Sequence, residues 1–233
     1  MAECLVIAVD GPSGSGKSSA ARGAATALDL RYLDTGAMYR ALTWWLLANG
    51  VDVTDAAAVA ARAEHPSIEV TTDPAGPLVT VNGVDVSGPI RERPVSNAVS
   101  AVASVPAVRR HLIARQREII AKACAEGGGI VAEGRDIGTV VAPAAAVKVF
   151  LTASETARAR RRAADLAADP AVTVELTQAE QARRDRLDAP QMEQAADAVH
   201  IDSTALGVTE VVAAIVALTD SKQAGADRGT RTA

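Results

Sequence analysis

The chain has almost no cysteine: Cys4 and Cys124 are the only two in 233 residues. Two cysteines make no disulfide framework, and neither has metal-ligand spacing. They read as core or near-surface thiols, which points to a reducing, cytoplasmic setting. An excess of positive charge is also missing. The 24 Lys and Arg stand against 28 Asp and Glu, for a net charge of −4. That leaves no general basic field of the kind nucleic-acid binding needs. No apolar stretch approaches a membrane span, and the first apolar run stops too early for a signal peptide. There is no internal repeat. The segment from Thr219 to Ala233 is polar and lacks an apolar face, so it is expected to be a disordered tail.

What is present begins at Cys4. The run Cys4–Val9 is short, apolar and rich in β-branched residues, as a buried strand should be. Residues 11 to 18 then read Gly-Pro-Ser-Gly-Ser-Gly-Lys-Ser, which fits G-x-x-x-x-G-K-[ST]. An alanine-rich helical segment follows, to about Leu28. Strand, glycine loop and helix in this order form a phosphate-binding loop. Its backbone N–H groups turn toward phosphate oxygens, and the helix N-terminus adds its dipole. Gly11, Pro12, Ser13, Gly14, Ser15, Gly16, Lys17 and Ser18, followed by Ser19, are therefore the candidate phosphate-binding residues. Lys17 is placed at the β- and γ-phosphates, and the Ser18 hydroxyl on Mg²⁺.

The rest of the chain reads as an α/β core with an insertion. Short apolar strands are expected near Arg31–Leu33, Ile130–Ala132, Val147–Leu151 and Asp197–Ile201. Helical segments at about 36–47, 154–168, 174–187 and 207–218 separate or follow them. Thr35 is expected to cap the helix that carries Arg40. A further helix is expected from Thr54 or Asp55 to near Pro66. This alternation implies a parallel sheet with helices on both faces, and ligands at the carboxyl ends of its strands. Between Ser67 and Val86 the texture changes to short β-rich runs broken by Gly, Pro and Asn. Asn82-Gly83 marks a hairpin there. Two helices, about 89–103 and 106–126, complete the insert. The expected organisation is a core of 1–65 and 127–218, an inserted subdomain of about 66–126, and the tail 219–233. A GTPase switch would need a guanine-reading Asn-Lys-x-Asp after a strand, and the chain has none. Instead Thr35, Arg40, Arg135 and Asp136 gather at strand ends, where Glu133-Gly-Arg-Asp136 closes an apolar strand. Such a strand exit suits a second, acceptor site rather than core packing.

Several segments together make the resemblance specific. They are Val9–Ser18, Leu33-Asp-Thr-Gly-Ala-Met-Tyr-Arg40, Val84–Ser87 with Ile90-Arg91, Ser104–Arg109 with Arg115 and Arg117, Glu133–Val141, Val147–Leu151 and Arg184-Asp185-x-x-Asp188. In this order, from about residue 4 to 218, the chain resembles the bacterial cytidylate kinases of the nucleoside monophosphate kinase group. The resemblance implies a P-loop α/β sandwich with a parallel five-stranded sheet, an inserted small antiparallel CMP-binding subdomain and an arginine-rich lid at about 154–172. It implies phosphoryl transfer from ATP, with Mg²⁺, to CMP or dCMP; the alternative is another small-molecule P-loop kinase with a different acceptor. It also implies roles for matching residues. Arg40 and Arg135 would hold the acceptor phosphate. Ser100, Arg109 and Asp136 would read cytosine, and Arg184 and Asp188 would meet the pentose. Arg158, Arg161 and Arg162, spaced i, i+3, i+4, would bring one helix face to the ATP phosphates once a lid closes. The nucleophile is an ionised phosphate oxygen, so no general base is required. No nucleic-acid or membrane partner and a monomeric state are expected. One departure stands out: the family pattern ends in arginine where this chain has Gln191, and the link from there to Asp197 is shortened.

Overall fold

The computed structural model of the chain describes residues 4–165 and 173–229. Five parallel strands form the main sheet: β1 (Leu5–Asp10), β2 (Arg31–Asp34), β6 (Gly129–Gly134), β7 (Val147–Thr152) and β8 (Val199–Asp202), in the order β2-β6-β1-β7-β8. The phosphate-loop strand β1 is central, with β6 on one side and β7 on the other. Alternation along these strands explains the layers. Ile7 and Val9 face one way, with Tyr32, Val131, Val149 and Leu151. They pack against alanines of α1 (Lys17–Ala27) and against Val211 and Ile215 of α8 (Val208–Gly229). Ala8, Leu33, Ile130 and Ala132 face the other way. They pack under α2 (Thr35–Ala48) and α5 (Pro106–Ala125). Both faces of the sheet are covered at β1, β6 and β7, so these strands read as nearly continuous apolar runs, whereas the edge strand β8 is largely exposed.

The insert folds as expected. β3 (Ile68–Val70), β4 (Val79–Val81) and β5 (Val84–Asp85) form an antiparallel three-stranded sheet. Asn82 and Gly83 join β4 to β5 with positive φ of 50° and 79°, the conformation of a type I′ hairpin turn. α4 (Arg93–Ser104) and α5 follow, each with proline in its first turn, where the missing N–H costs nothing. Between the core strands lie α6 (Glu155–Asp165) and α7 (Val174–Asp188). The remainder of the expected lid, residues 166–172, lies outside the described residues.

Four expectations are corrected. Cys4 and Cys124 are not separate thiols but are joined by a disulfide that spans 120 positions of chain. Topology explains it: α5 ends at Ala125, a glycine turn follows, and Gly129 opens β6 opposite Leu5, the neighbour of Cys4. The argument from free thiols to a reducing compartment therefore falls away. The helix expected to reach Pro66 is the short α3 (Ala56–Ala60), capped by the Asp55 carboxylate on the Ala57 and Ala58 N–H groups. The expected tail continues α8 as far as Gly229, and residues 230–233 lie outside the described part. Its alanine, lysine and glutamine extend an existing helix, which needs no new nucleus. Thr35 is not the cap of α2. The Asp34 carboxylate accepts from the Ala37 N–H at 2.8 Å, while the Thr35 hydroxyl donates to the Glu133 carbonyl at 2.7 Å. Among the described residues no helix is long and apolar enough to cross a membrane.

Candidate active site

The carboxyl ends of β1, β2 and β6 open into one cleft of about 1050 Å³. Its donor end is the loop between β1 and α1. Gly11 has φ +145°, and a Cβ there would lie 2.0 Å from the Leu151 carbonyl oxygen, so only glycine lets the loop leave the sheet. Lys17 is buried and donates to the Pro12 carbonyl at 2.8 Å, across its own loop. Burial pulls its ammonium down from 10.5 to about 7, with the nearby Arg135 charge acting in the same direction. Beside it lies Glu133, also buried. Its carboxylate accepts from the Tyr32 hydroxyl and is held above the usual range, first by burial and then by Asp34. Hydrogen bonding from Ser18 partly offsets that rise. Asp10, at the end of β1, accepts from the Ile137 and Gly138 N–H groups at 2.8 Å each, and thereby fixes the turn that follows Asp136.

The end expected to take the acceptor draws on five elements, α2, the exit of β6, α4, α5 and α7. α2 supplies Arg40, which donates to Asp34 at 3.1 Å. The exit of β6 supplies Arg135 and Asp136. The Nε of Arg135 donates to Asp188 at 3.2 Å, and Asp136 is ion-paired with Arg109 of α5. Arg109 also donates to the Gln191 side-chain oxygen at 3.2 Å. Ser100, on α4, lines the same wall. Its hydroxyl is buried and has no hydrogen-bond partner among the described residues. The same is true of the Nε atoms of Arg40 and Arg184. Burial, and then the Arg135 charge, lower the Arg184 guanidinium to about 10. Buried polar atoms are ordinarily satisfied. A group of unpartnered ones around one cleft marks where a polar ligand belongs.

Two of the three arginines expected in the lid already contact the loop. Arg158 donates to the Ser13 carbonyl at 3.0 Å. Arg161 donates to the Ser203 hydroxyl at 3.0 Å and the Ser203 carbonyl at 2.6 Å, with a longer bond to the Ser15 carbonyl. Arg162 lines the cleft. The expectation that they approach the donor site only after movement is thus corrected for Arg158 and Arg161. α6 follows β7, and β7 lies against β1, so the root of α6 starts beside the loop. The segment Ser203–Val208, between β8 and α8, forms the outer wall of the donor end together with Val211.

All the sequence-derived candidates except Gly11 and Pro12 line this one cleft or, in the case of Arg158, pack onto its loop. Sequence reasoning gave no site role to Asp10, Asp34, Asp185 or Ser203, and noted Glu133 only as part of a polar strand exit, where a carboxylate closing an apolar strand is costly unless it is used. For Asp185 and Ser203 the contacts are purely tertiary.

Comparison with known proteins agrees with the geometry. The cytidylate kinase family matches residues 7–221. Curated proteins named cytidylate kinase are similar along nearly their whole length. One from Streptomyces coelicolor is 50% identical over 226 residues, 96% of each chain. One from Streptomyces griseus is 48% identical over 224 residues, 95% of each. One from Geobacillus kaustophilus is 48% identical over 223 residues, 94% of this chain and 97% of that one. A solved structure of an uncharacterised protein from Eubacterium ventriosum shares the fold, with a TM-score of 0.50 at 11% identity, over 93% of this chain and 98% of that one.

Proposed function

This chain belongs to the cytidylate kinase family, and from that premise we propose how its cleft moves the γ-phosphoryl group of ATP onto the phosphate of CMP or dCMP. The observation that carries the reading is one cleft with two unlike ends. One end is a phosphate loop with a buried lysine. The other is a ring of arginines around a carboxylate and an unpartnered hydroxyl.

The loop N–H groups and Lys17 hold the donor phosphates. Lys17 gives up its bond to Pro12 and regains full charge against the polyphosphate. Arg40 and Arg135 hold the acceptor phosphate. Arg184 and Asp188 meet the pentose. Asp136, Arg109 and Ser100 read the base. Arg158, Arg161 and Arg162 crowd the donor loop with positive charge. Phosphoryl transfer asks little covalent chemistry of a protein, so neutralisation and in-line placement carry the rate. The acceptor oxygen is already ionised and needs no base.

The oxygen donors beside the loop fit a hard cation: the Ser18 hydroxyl, with the Glu133 and Asp34 carboxylates behind it. These residues would hold Mg²⁺ entering with ATP. When bound, the ion supplies neutralisation of the β- and γ-phosphate oxygens.

The reading is tested by ADP formation with CMP, dCMP, UMP, AMP, GMP and shikimate as acceptors. CMP and dCMP should dominate. Preference for any of the other four would assign the acceptor end to a different small molecule.

A further inference from the structure

Arg158, at the donor end, is held by a carboxylate. Its side chain is only 7% exposed, and the same Nη1 atom donates to the Ser13 carbonyl at 3.0 Å and to the Asp185 carboxylate at 2.6 Å. Both acceptors shape where the guanidinium sits, but only one carries charge. A buried guanidinium left with a neutral carbonyl alone would be poorly compensated. The cluster is fitted to the loop as well. Gln181 lies one turn before Asp185 on α7 and donates to the Arg158 carbonyl at 3.4 Å. A Cβ on Gly14 would come within 3.1 Å of Arg158 and 2.5 Å of Gln181, so α6 and α7 close directly over the loop backbone. Among the described residues, Nε of Arg158 and one oxygen of Asp185 remain buried without a hydrogen-bond partner. The pair is therefore an incomplete cluster facing the phosphate loop, not a closed structural bridge.

Asp185 sits on α7 between Arg184 and Asp188, and Asp188 binds Arg135 at the acceptor end. One helix thus carries acceptor-side groups and the anchor of a donor-side arginine. We propose that Asp185 is a positioning residue, which fixes Arg158 over the phosphate loop and so ties donor-site geometry to the helix that meets the acceptor. The proposal rests on the reading of Arg158 as a group acting on the ATP phosphates.

The test is a double-mutant cycle on the full chain, with kcat, KM for ATP and CMP, and the unfolding temperature measured for each variant. Displacing a charge-stabilising group by about an ångström costs on the order of 100-fold in rate. Asp185→Asn, which keeps shape and removes charge, should lower kcat by about 10- to 100-fold. It should leave the CMP KM near that of the parent and lower the unfolding temperature by several degrees while the variant still folds, because Arg158 is left with neutral acceptors only. Asp185→Glu keeps the charge and should recover most of the turnover. Arg158→Ala should lower kcat at least as far, and in its background Asp185→Asn should have no further effect.

An equal loss from Asp185→Asn with and without Arg158 overturns the proposal. So does a Glu variant as slow as the Asn variant, or an Asn variant that does not fold, which makes Asp185 a structural residue. If Arg158→Ala is slow but Asp185→Asn is not, the positioning role alone fails. If Arg158→Ala is as fast as the parent, the assignment of Arg158 to the phosphates fails and takes the proposal with it.

Discussion

Replacing Asp136 by asparagine should change which pyrimidine the enzyme uses. Cytosine offers its N4 amino group as a donor, where uracil offers O4 as an acceptor. An ionised carboxylate only accepts. Asp136 is almost fully buried, 7% exposed, and sits at the acceptor end in an ion pair with Arg109. Arg109 is in turn braced by Gln191. A hydrogen bond to a charged group is worth about 1.5–3 kcal/mol, and its removal should cut kcat/KM for CMP by about 10- to 100-fold. The loss of Arg109's partner adds to that cost. UMP should lose less or gain, because an amide N–H can donate to O4. The CMP-to-UMP ratio of kcat/KM should therefore fall by at least an order of magnitude, mostly through damage to CMP use. The assay is coupled ADP release with both acceptors, beside a thermal melt to confirm folding. If the parent enzyme uses UMP as well as CMP, or Asp136→Asn leaves the ratio untouched, the base-reading role is refuted. Asp136 would then be only the strand-end partner of Arg109.

Further outcomes can be checked alongside. Lys17 is pulled down to about 7 while the unfolded chain keeps it near 10.5, so the unfolded state binds more protons between those values, and this group's contribution to stability rises with pH across that window. ATP should restore the charge, so binding at pH 8 should take up protons, seen as heats that depend on the buffer's ionisation enthalpy. Lys17→Met should abolish that uptake and lower turnover by orders of magnitude while sparing CMP binding; uptake that survives the substitution would exclude Lys17 as its source. Gln191→Leu removes one anchor of Arg109 and should cost about 0.5–1.5 kcal/mol in kcat/KM for CMP, with ATP KM unchanged. The Cys4–Cys124 disulfide closes a loop of 120 positions and should stabilise the chain by about 4–5 kcal/mol in the chain-entropy account. Melts with and without reductant should separate by several degrees, and Cys124→Ala should melt with the reduced form whether or not reductant is present.

How much was legible in the sequence depended on distance along the chain. The loop from Gly11 to Ser18 was legible because strand, turn and helix are contiguous and each sets the conformation of the next. The Asn82-Gly83 hairpin was legible because both residues take positive φ, which few other pairs do cheaply. The burial of Ile130–Ala132 followed from composition alone. Thr35 was misplaced because Asp34 and Thr35 are both good caps, and the choice was made by Glu133, whose carbonyl takes the Thr35 hydroxyl from a different strand. The disulfide was missed for the same reason. Nothing near Cys4 announces that the turn after α5 returns the chain to its side, since the pairing of Leu5 with Gly129 is a property of the sheet.

The cleft sharpens that distinction. A sequence shows its arginines in clusters without their partners, ready for phosphate. In the folded chain Arg40 holds Asp34, Arg135 holds Asp188, Arg109 holds Asp136 and Arg158 holds Asp185. By contacts alone each of these is an ordinary ion pair, and nothing in the pairing separates a ligand-binding arginine from a structural one. What separates them is the incompleteness of the pairing. Among the described residues, Nε of Arg40, Arg158 and Arg184 stays buried without a partner, as does the Ser100 hydroxyl. Mutual repulsion and burial depress Lys17 and Arg184. A site built only for stability would have satisfied those atoms or replaced them with apolar ones. The carboxylates offset the charge of a crowd of cations at the cleft. Sequence reading could name the cations, but their carboxylate partners come from the ends of β2 and β6 and from α7 and meet only in the fold.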